Sequence, residues 1–155
     1  MSNFCIWIDA DAAPVAVKEI VFKAALKTST KVVLVANKYQ KILSNPLFSM
    51  VVVEKDPDAA DFYIADNMQK GDIVITADIP LASEVVKRFG IAIDPKGKLY
   101  DEVSVGERLA MRDLMAGLRE TGQVQSFHGA YNSKDKKKFA DIFNNHLHQA
   151  LARQK

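Results

Sequence analysis

The feature that most constrains this chain is a set of short apolar runs that do not alternate. Phe4 to Ile8, Lys31 to Ala36, Met50 to Val53 and Asp72 to Thr76 are nearly continuous stretches rich in Val and Ile, and a weaker fifth run covers Ile91 to Ile93. A strand with one wet face alternates apolar and polar residues, whereas a continuous run suits a strand buried on both faces of a parallel sheet covered by helices. Helical patterns lie between the runs, over Pro14 to Lys27, Pro57 to Gln69 and Ile79 to Phe89; in the first, Val17, Ile20, Val21 and Ala24 share one face. Strands alternating with helices predict an α/β fold, a three-layer sandwich with a mainly parallel central sheet of about five strands joined by right-handed crossovers. After Pro95 only helical texture remains, over Val103 to Glu120 and Lys134 to Ala152. These helices are expected to dock on the same core, because each alone would expose its apolar side. At 155 residues and 48% hydrophobic, the chain has the length of one domain able to bury roughly 70% of its unfolded surface. Residues 1–95 form its α/β core and 96–155 its helical part.

Several classes are set aside by what the chain lacks. No apolar run approaches the roughly 20 residues that cross a bilayer, and Met-Ser-Asn-Phe carries no positive leader region, so no membrane partner and a cytoplasmic location are expected. The lone cysteine, Cys5, sits in the first apolar run and reads as a buried, inert thiol. His146 and His148 fall on the last helix and His128 in a Gly-flanked loop, with no spacing that suggests a metal site. A net charge of +2 says little about nucleic acid unless the charge is clustered.

In open parallel sheets ligands bind beyond the carboxyl ends of the strands, and here those ends carry aspartate. The first run passes into Ile8-Asp9-Ala10-Asp11-Ala12-Ala13-Pro14. Asp9 ends a buried strand, where an uncompensated charge is costly, and function explains it better than structure. Asp11 is either a functional acid or a carboxylate favoured by the start of the helix that Pro14 opens. In Asp56-Pro57-Asp58-Ala59-Ala60-Asp61, Asp56 fits an N-cap, Pro57 the first helical position and Asp58 the first turn. Asp61 lies past that turn on the stripe shared with Ile64, Ala65 and Met68, the face this helix would bury. After the fourth run come Thr76, whose hydroxyl is available, and Asp78, which either caps the next helix or joins the site. Carboxylates converging at one edge repel one another unless a cation sits among them, and an oxygen-only set favours Mg²⁺ or Mn²⁺. On the helix from Val103 to Glu120, Arg108, Arg112 and Arg119 fall within a sector of about 40°. Arg112 also sits between Val105, Leu109 and Ala116, as an arginine does when it reaches a carboxylate or a phosphate. Lys18, one turn into the first helix, and Lys38, after the second run, are lesser phosphate candidates. The run from Lys134 to Lys138 reads as a solvated helix start.

The segments IWIDADAAP, DAADFYIAD, GDIVITADIPLA, LAMRDLMAGLRETG and KDKKKFADIFNNHL resemble the bacterial YaiI/YqxD family over nearly the whole chain. That family is placed in the PIN-like superfamily, whose active members are Mg²⁺- or Mn²⁺-dependent ribonucleases. The resemblance implies a PIN-like fold and metal-activated water cleaving single-stranded RNA or another phosphate-containing substrate. It assigns Asp9, Asp61 and Asp78 to catalysis and those three with Asp11 to the metal. Thr76, Arg112, Lys18, Arg108, Lys38 and Asp58 are then substrate contacts. The family usually reads Asp-Ala-Asp-Ala-Cys-Pro where this chain has Ala13, so no thiol chemistry is available there. Two rivals share the residues: a haloacid-dehalogenase-like phosphatase with Asp9 as nucleophile and Asp11 as general acid, and a silent RNA- or protein-binding module. Oligomeric state, a homodimer included, stays open.

Overall fold

The computed structural model describes residues 3–56, 58–120 and 130–153. Its elements run β1 (Cys5–Asp9), α1 (Val15–Thr28), β2 (Lys31–Ala36), β3 (Phe48–Val52), α2 (Ala59–Asn67), β4 (Ile73–Ile75), α3 (Ile79–Lys87), β5 (Ile91–Ile93), β6 (Leu99–Tyr100), α4 (Glu102–Glu120) and α5 (Ser133–Ala152). The strands form one sheet in the order β3-β2-β1-β4-β5-β6, parallel throughout except that β6 runs antiparallel to β5. The five expected strands are present, and β6 is a sixth. The sheet therefore continues past Pro95, where the sequence texture pointed to helices alone. Two residues are too few to carry a period, and β6 exists because the turn from Asp94 to Lys98 folds it back onto β5.

The continuous apolar runs are buried on both faces, as a parallel sheet requires. Ile6, Ile8, Val32, Leu34, Ile73, Ile75 and Ile93 face Val17, Val21 and Ala25 of α1 and Phe139, Phe143 and Leu147 of α5. On the opposite face Trp7, Val35, Val74, Ala92 and Tyr100 pack on α2, α3 and Val105 of α4. Three layers result. Phe139 and Phe143 are fully buried and stack with centroids 5.5 Å apart; each contributes about 1.5–3 kcal/mol by burial, enough to hold α5 on the sheet.

Some boundaries differ from the sequence reading. Pro14 is the N-cap of α1, not its first residue. Asp58, not Asp56, occupies the N-cap of α2, and Asp61 lies in the first turn instead of beyond it. Asp56 instead accepts the Asp58 N–H at 2.9 Å, a side-chain turn that precedes the helix. Along the described helices none is long and apolar enough to cross a membrane.

Strand order locates the site. The chain leaves β1 toward β2 on one side and later lays β4 on the other, so the crossovers diverge between β1 and β4. That divergence opens a crevice at the carboxyl ends of those two strands, the place where such sheets bind ligands.

Candidate active site

Period-two alternation decides which strand-end side chains face the crevice layer. Trp7 and Val74 point toward α2 and α3 while Ile8 and Ile75 point toward α1 and α5, so Asp9 and Thr76, one residue further, return to the α2/α3 side. Ile8 and Ile75 are register partners, which sets Asp9 beside Thr76. The Thr76 hydroxyl donates to Asp9 Oδ2 at 3.0 Å and accepts the Asp78 N–H at 3.0 Å. Asp78 in turn caps α3, its Oδ1 accepting the Leu81 N–H at 2.8 Å. Capping and site membership are thus not alternatives for Asp78; one oxygen caps and the other remains for the crevice. Asp61 enters from the first turn of α2 and shares a hydrogen bond with the Asp78 carboxyl.

The electrostatics follow from this crowding. Burial pushes the Asp61 carboxyl up to about 7, and the nearby charges of Asp78, Asp9 and Asp58 add to it. Asp9, only 8% exposed, is also raised, first by burial; the Thr76 hydroxyl opposes the shift and the charges of Asp78 and Asp11 reinforce it. Two carboxyls that share a hydrogen bond need one proton between them. A cation would take the place of that proton.

Asp11 is exposed and accepts the Asn37 N–H at 2.7 Å, while the Asn37 side chain donates to the Glu54 carbonyl at 2.6 Å. It therefore ties the loop after β1 to the end of β2. Lys18 is half-buried and donates to Gln40 at 2.6 Å; burial lowers its pKa and the charge of Asp11 opposes that shift. Asn37 and Gln40, passed over in the sequence because amides carry no charge pattern, thus line the β2 side of the crevice. Asp58 is exposed, and Lys38 is exposed in the loop that follows β2. Between α2 and α3, Asp58, Asp61, Phe62, Ala65, Pro80, Leu81 and Glu84 line a cavity of about 250 Å³.

The arginine face departs from expectation. Arg112 is exposed, with Asp113 at 4.0 Å as its ion-pair partner, instead of lying in an apolar face. Only Val105 is buried on α4, and every side chain from Ala110 to Leu114 is exposed; the helix extends past α3, so its amphipathic pattern has nothing there to pack on among the described residues. Arg108 does reach a carboxylate, Asp94, at 3.4 Å, and lies 4.6 Å over the Tyr100 ring. The Arg119 side chain and His128 lie outside the described residues. His146 is half-buried and His148 exposed. Cys5 is half-buried, not fully buried, and burial raises its thiol to about 12, which keeps it protonated and unreactive.

The family model described as "Uncharacterized BCR, YaiI/YqxD family" matches residues 7–149. The chain belongs to the YaiI/YqxD family. A UPF0178 protein of Geobacter sulfurreducens is 47% identical over 149 residues, covering 96% of this chain and 99% of its own length. A UPF0178 protein of Legionella pneumophila is 43% identical, covering 92% and 96%. One from Stutzerimonas stutzeri is 44% identical, covering 88% and 90%. No solved structure matches the chain.

Among the described residues of this YaiI/YqxD chain, no three acidic, histidine or cysteine side chains stand in an arrangement that encloses a metal ion. The donors still suit a hard cation that keeps most of its water, since Mg²⁺ is commonly held by one or two carboxylates plus substrate phosphate. The Asp61 and Asp78 pair fits that description, with Asp9 held behind it by Thr76. Asp94 is the acid that the sequence reading overlooked. It ends β5 just as Asp9 ends β1, and the same strand-end rule would have found it. Its oxygens accept from the Lys96 N–H at 2.7 Å and the Tyr100 hydroxyl at 2.9 Å, so it is neutralised locally. Asp72, also buried, lies at the opposite edge of the sheet and accepts from Cys5, Trp7 and Gln69, each at 2.9 Å.

Proposed function

We propose that the acidic crevice hydrolyses phosphodiester bonds in single-stranded RNA with Mg²⁺ or Mn²⁺, as the resemblance to PIN-like ribonucleases implies. The observation that carries the proposal is the crowding of Asp9, Asp61 and Asp78, from three different elements, at the point where the crossovers diverge. A bound divalent ion would polarise the phosphodiester and acidify a water molecule. Asp61 and Asp78 hold that ion, Asp78 being fixed by its cap to Leu81. Asp9 and Thr76 orient the pair from behind, and Asp11 with Lys18 and Asn37 borders the substrate on the β2 side. Asp58 and Lys38 flank this border, and Arg112 offers an exposed cation further along α4. A phosphatase built on Asp9 and Asp11 would leave Asp61 without a task, although Asp61 carries the largest carboxyl perturbation in the crevice.

The test is cleavage of a labelled single-stranded RNA with Mn²⁺. Asp61→Asn and Asp78→Asn should each lower the rate by about 10²-fold or more, the range seen when a single preorganised electrostatic group is removed. Chelation should abolish it. Cleavage that survives both substitutions would overturn the proposal, and binding without any turnover would favour a silent RNA-binding module.

A further inference from the structure

We propose that a second cavity, one strand over from the acidic crevice, binds a non-reacting phosphate of the same RNA strand; this rests on the hydrolase reading. The cavity measures about 260 Å³ and is lined by Asp94, Lys96, Lys98, Arg108, Asp135 and Lys138. Its cations come from three places in the fold: the β5–β6 turn, α4 and α5. Their convergence is built by packing. Gly97 has φ +91°, and a Cβ there would land on the Lys138 main chain, 2.6 Å from its carbonyl carbon. The turn is thus pressed onto α5, which brings the lysines flanking Gly97 to Lys138. Tyr131 pins the same corner by donating to the Pro95 carbonyl at 2.9 Å.

Four cations face two carboxylates, and both carboxylates are already engaged. Asp94 accepts from Lys96 N, Tyr100 and Arg108. Asp135 accepts from the Asn132 N–H at 3.1 Å as part of the α5 capping box. Arg108 spends one nitrogen on Asp94 and has further donors in its fork. Lys98 and Lys138 are exposed and have no ion-pair partner among the described residues. The cavity therefore keeps a surplus of positive charge that its own acids do not consume, and an oxyanion complements it.

Position argues for a phosphate within a strand over a free one. The Thr76 N–H donates to the Ile93 carbonyl at 3.1 Å, so Asp94 follows directly beside Thr76, and neighbouring strands lie about 4.8 Å apart. The basic cavity and the Asp9–Thr76–Asp78 chain thus sit side by side on one sheet edge, within the span of a dinucleotide. Backbone contacts of this kind position a strand without reading its sequence.

The experiment measures binding of a labelled single-stranded RNA by fluorescence anisotropy, in chelator so that nothing is cleaved. Lys98→Ala/Lys138→Ala should weaken binding about 10-fold or more and reduce the slope of log K against log salt by about 1.4, or 0.7 for each lost phosphate contact. A control of equal charge change, Lys23→Ala/Lys27→Ala on α1, should leave affinity within about 2-fold. An unchanged affinity and slope in the Lys98/Lys138 variant, or an equal loss in the control, would overturn the cavity assignment. Displacement of the RNA by submillimolar inorganic phosphate would overturn the strand and indicate a small-phosphate site. The two proposals fail separately. Lysine-dependent binding without any Mn²⁺-dependent cleavage sinks the hydrolase alone; aspartate-dependent cleavage whose KM ignores both lysines sinks the cavity alone.

Discussion

Asp61 is where the competing forces on a single side chain are most visible. Its carboxyl is raised to about 7 from an ordinary 3.8, by burial and then by the charges of Asp78 and Asp9. Between those values the folded chain retains a proton that the unfolded chain has released, so the slope of unfolding free energy against pH is negative. Stability from this group is complete below about pH 4 and is lost as pH rises toward about 7. Asp9 is shifted in the same direction and adds to the trend. Melting temperatures taken in chelator from pH 4 to 8 should therefore fall for the wild type. Asp61→Asn should flatten that fall and melt a few degrees higher at pH 8, at about 2–4 °C per kcal/mol for a chain of this size. Identical pH slopes for the two proteins would mean that the carboxyls do not repel as the geometry implies. Asp9 and Asp78 could be picked out because each follows an apolar run, whereas the bond between Asp61 and Asp78 joins residues 17 apart and has no local signature.

At the scale of elements, the β5–β6 turn tests how packing amplifies backbone strain. Gly71 and Gly97 both hold positive φ, at +89° and +91°, but a Cβ on Gly71 meets nothing within 4 Å while one on Gly97 meets the backbone of α5. Gly71→Ala should cost only the left-handed strain, on the order of 1–2 kcal/mol. Gly97→Ala should cost at least about 1 kcal/mol more, since overpacking adds to the same strain. Denaturant midpoints of the two variants compare the costs directly, and equal losses would show that the turn is free of α5. The helix α4 teaches the converse lesson. Its arginine sector and apolar stripe are real in the sequence, yet Arg112 is exposed because no element packs on that length of the helix among the described residues. A period shows which face could be buried; only a neighbour buries it.

For the molecule as a whole, the crevice between β1 and β4 links metal binding to stability. An ion that binds only the folded state stabilises it by RT ln(1 + [L]/Kd), about 1.4 kcal/mol at ten times Kd. Mn²⁺ at that level should raise the wild-type melting temperature by about 3–6 °C, and Asp78→Asn should remove most of the rise. A wild type indifferent to millimolar Mn²⁺ and Mg²⁺ would leave the acids as a purely structural cluster. The same measurement separates the crevice from Asp72, whose three hydrogen bonds at the other edge of the sheet serve packing and give an ion no opening.

The sequence by itself determined the parallel sheet, its two helical covers and the acids at the strand ends. These depend on local patterns: continuous apolar runs, helical periods, and a charged residue where a buried run stops. Tertiary structure decided what no local pattern contains. It put Asp61 against Asp78, gave Arg108 to Asp94 and left Arg112 in water, added β6, and gathered lysines from the β5–β6 turn and α5 around one cavity. Each of these outcomes depends on which distant elements become neighbours, and that is set by strand order and by close approaches such as Gly97 on Lys138, where burial and sterics act between residues far apart in the chain.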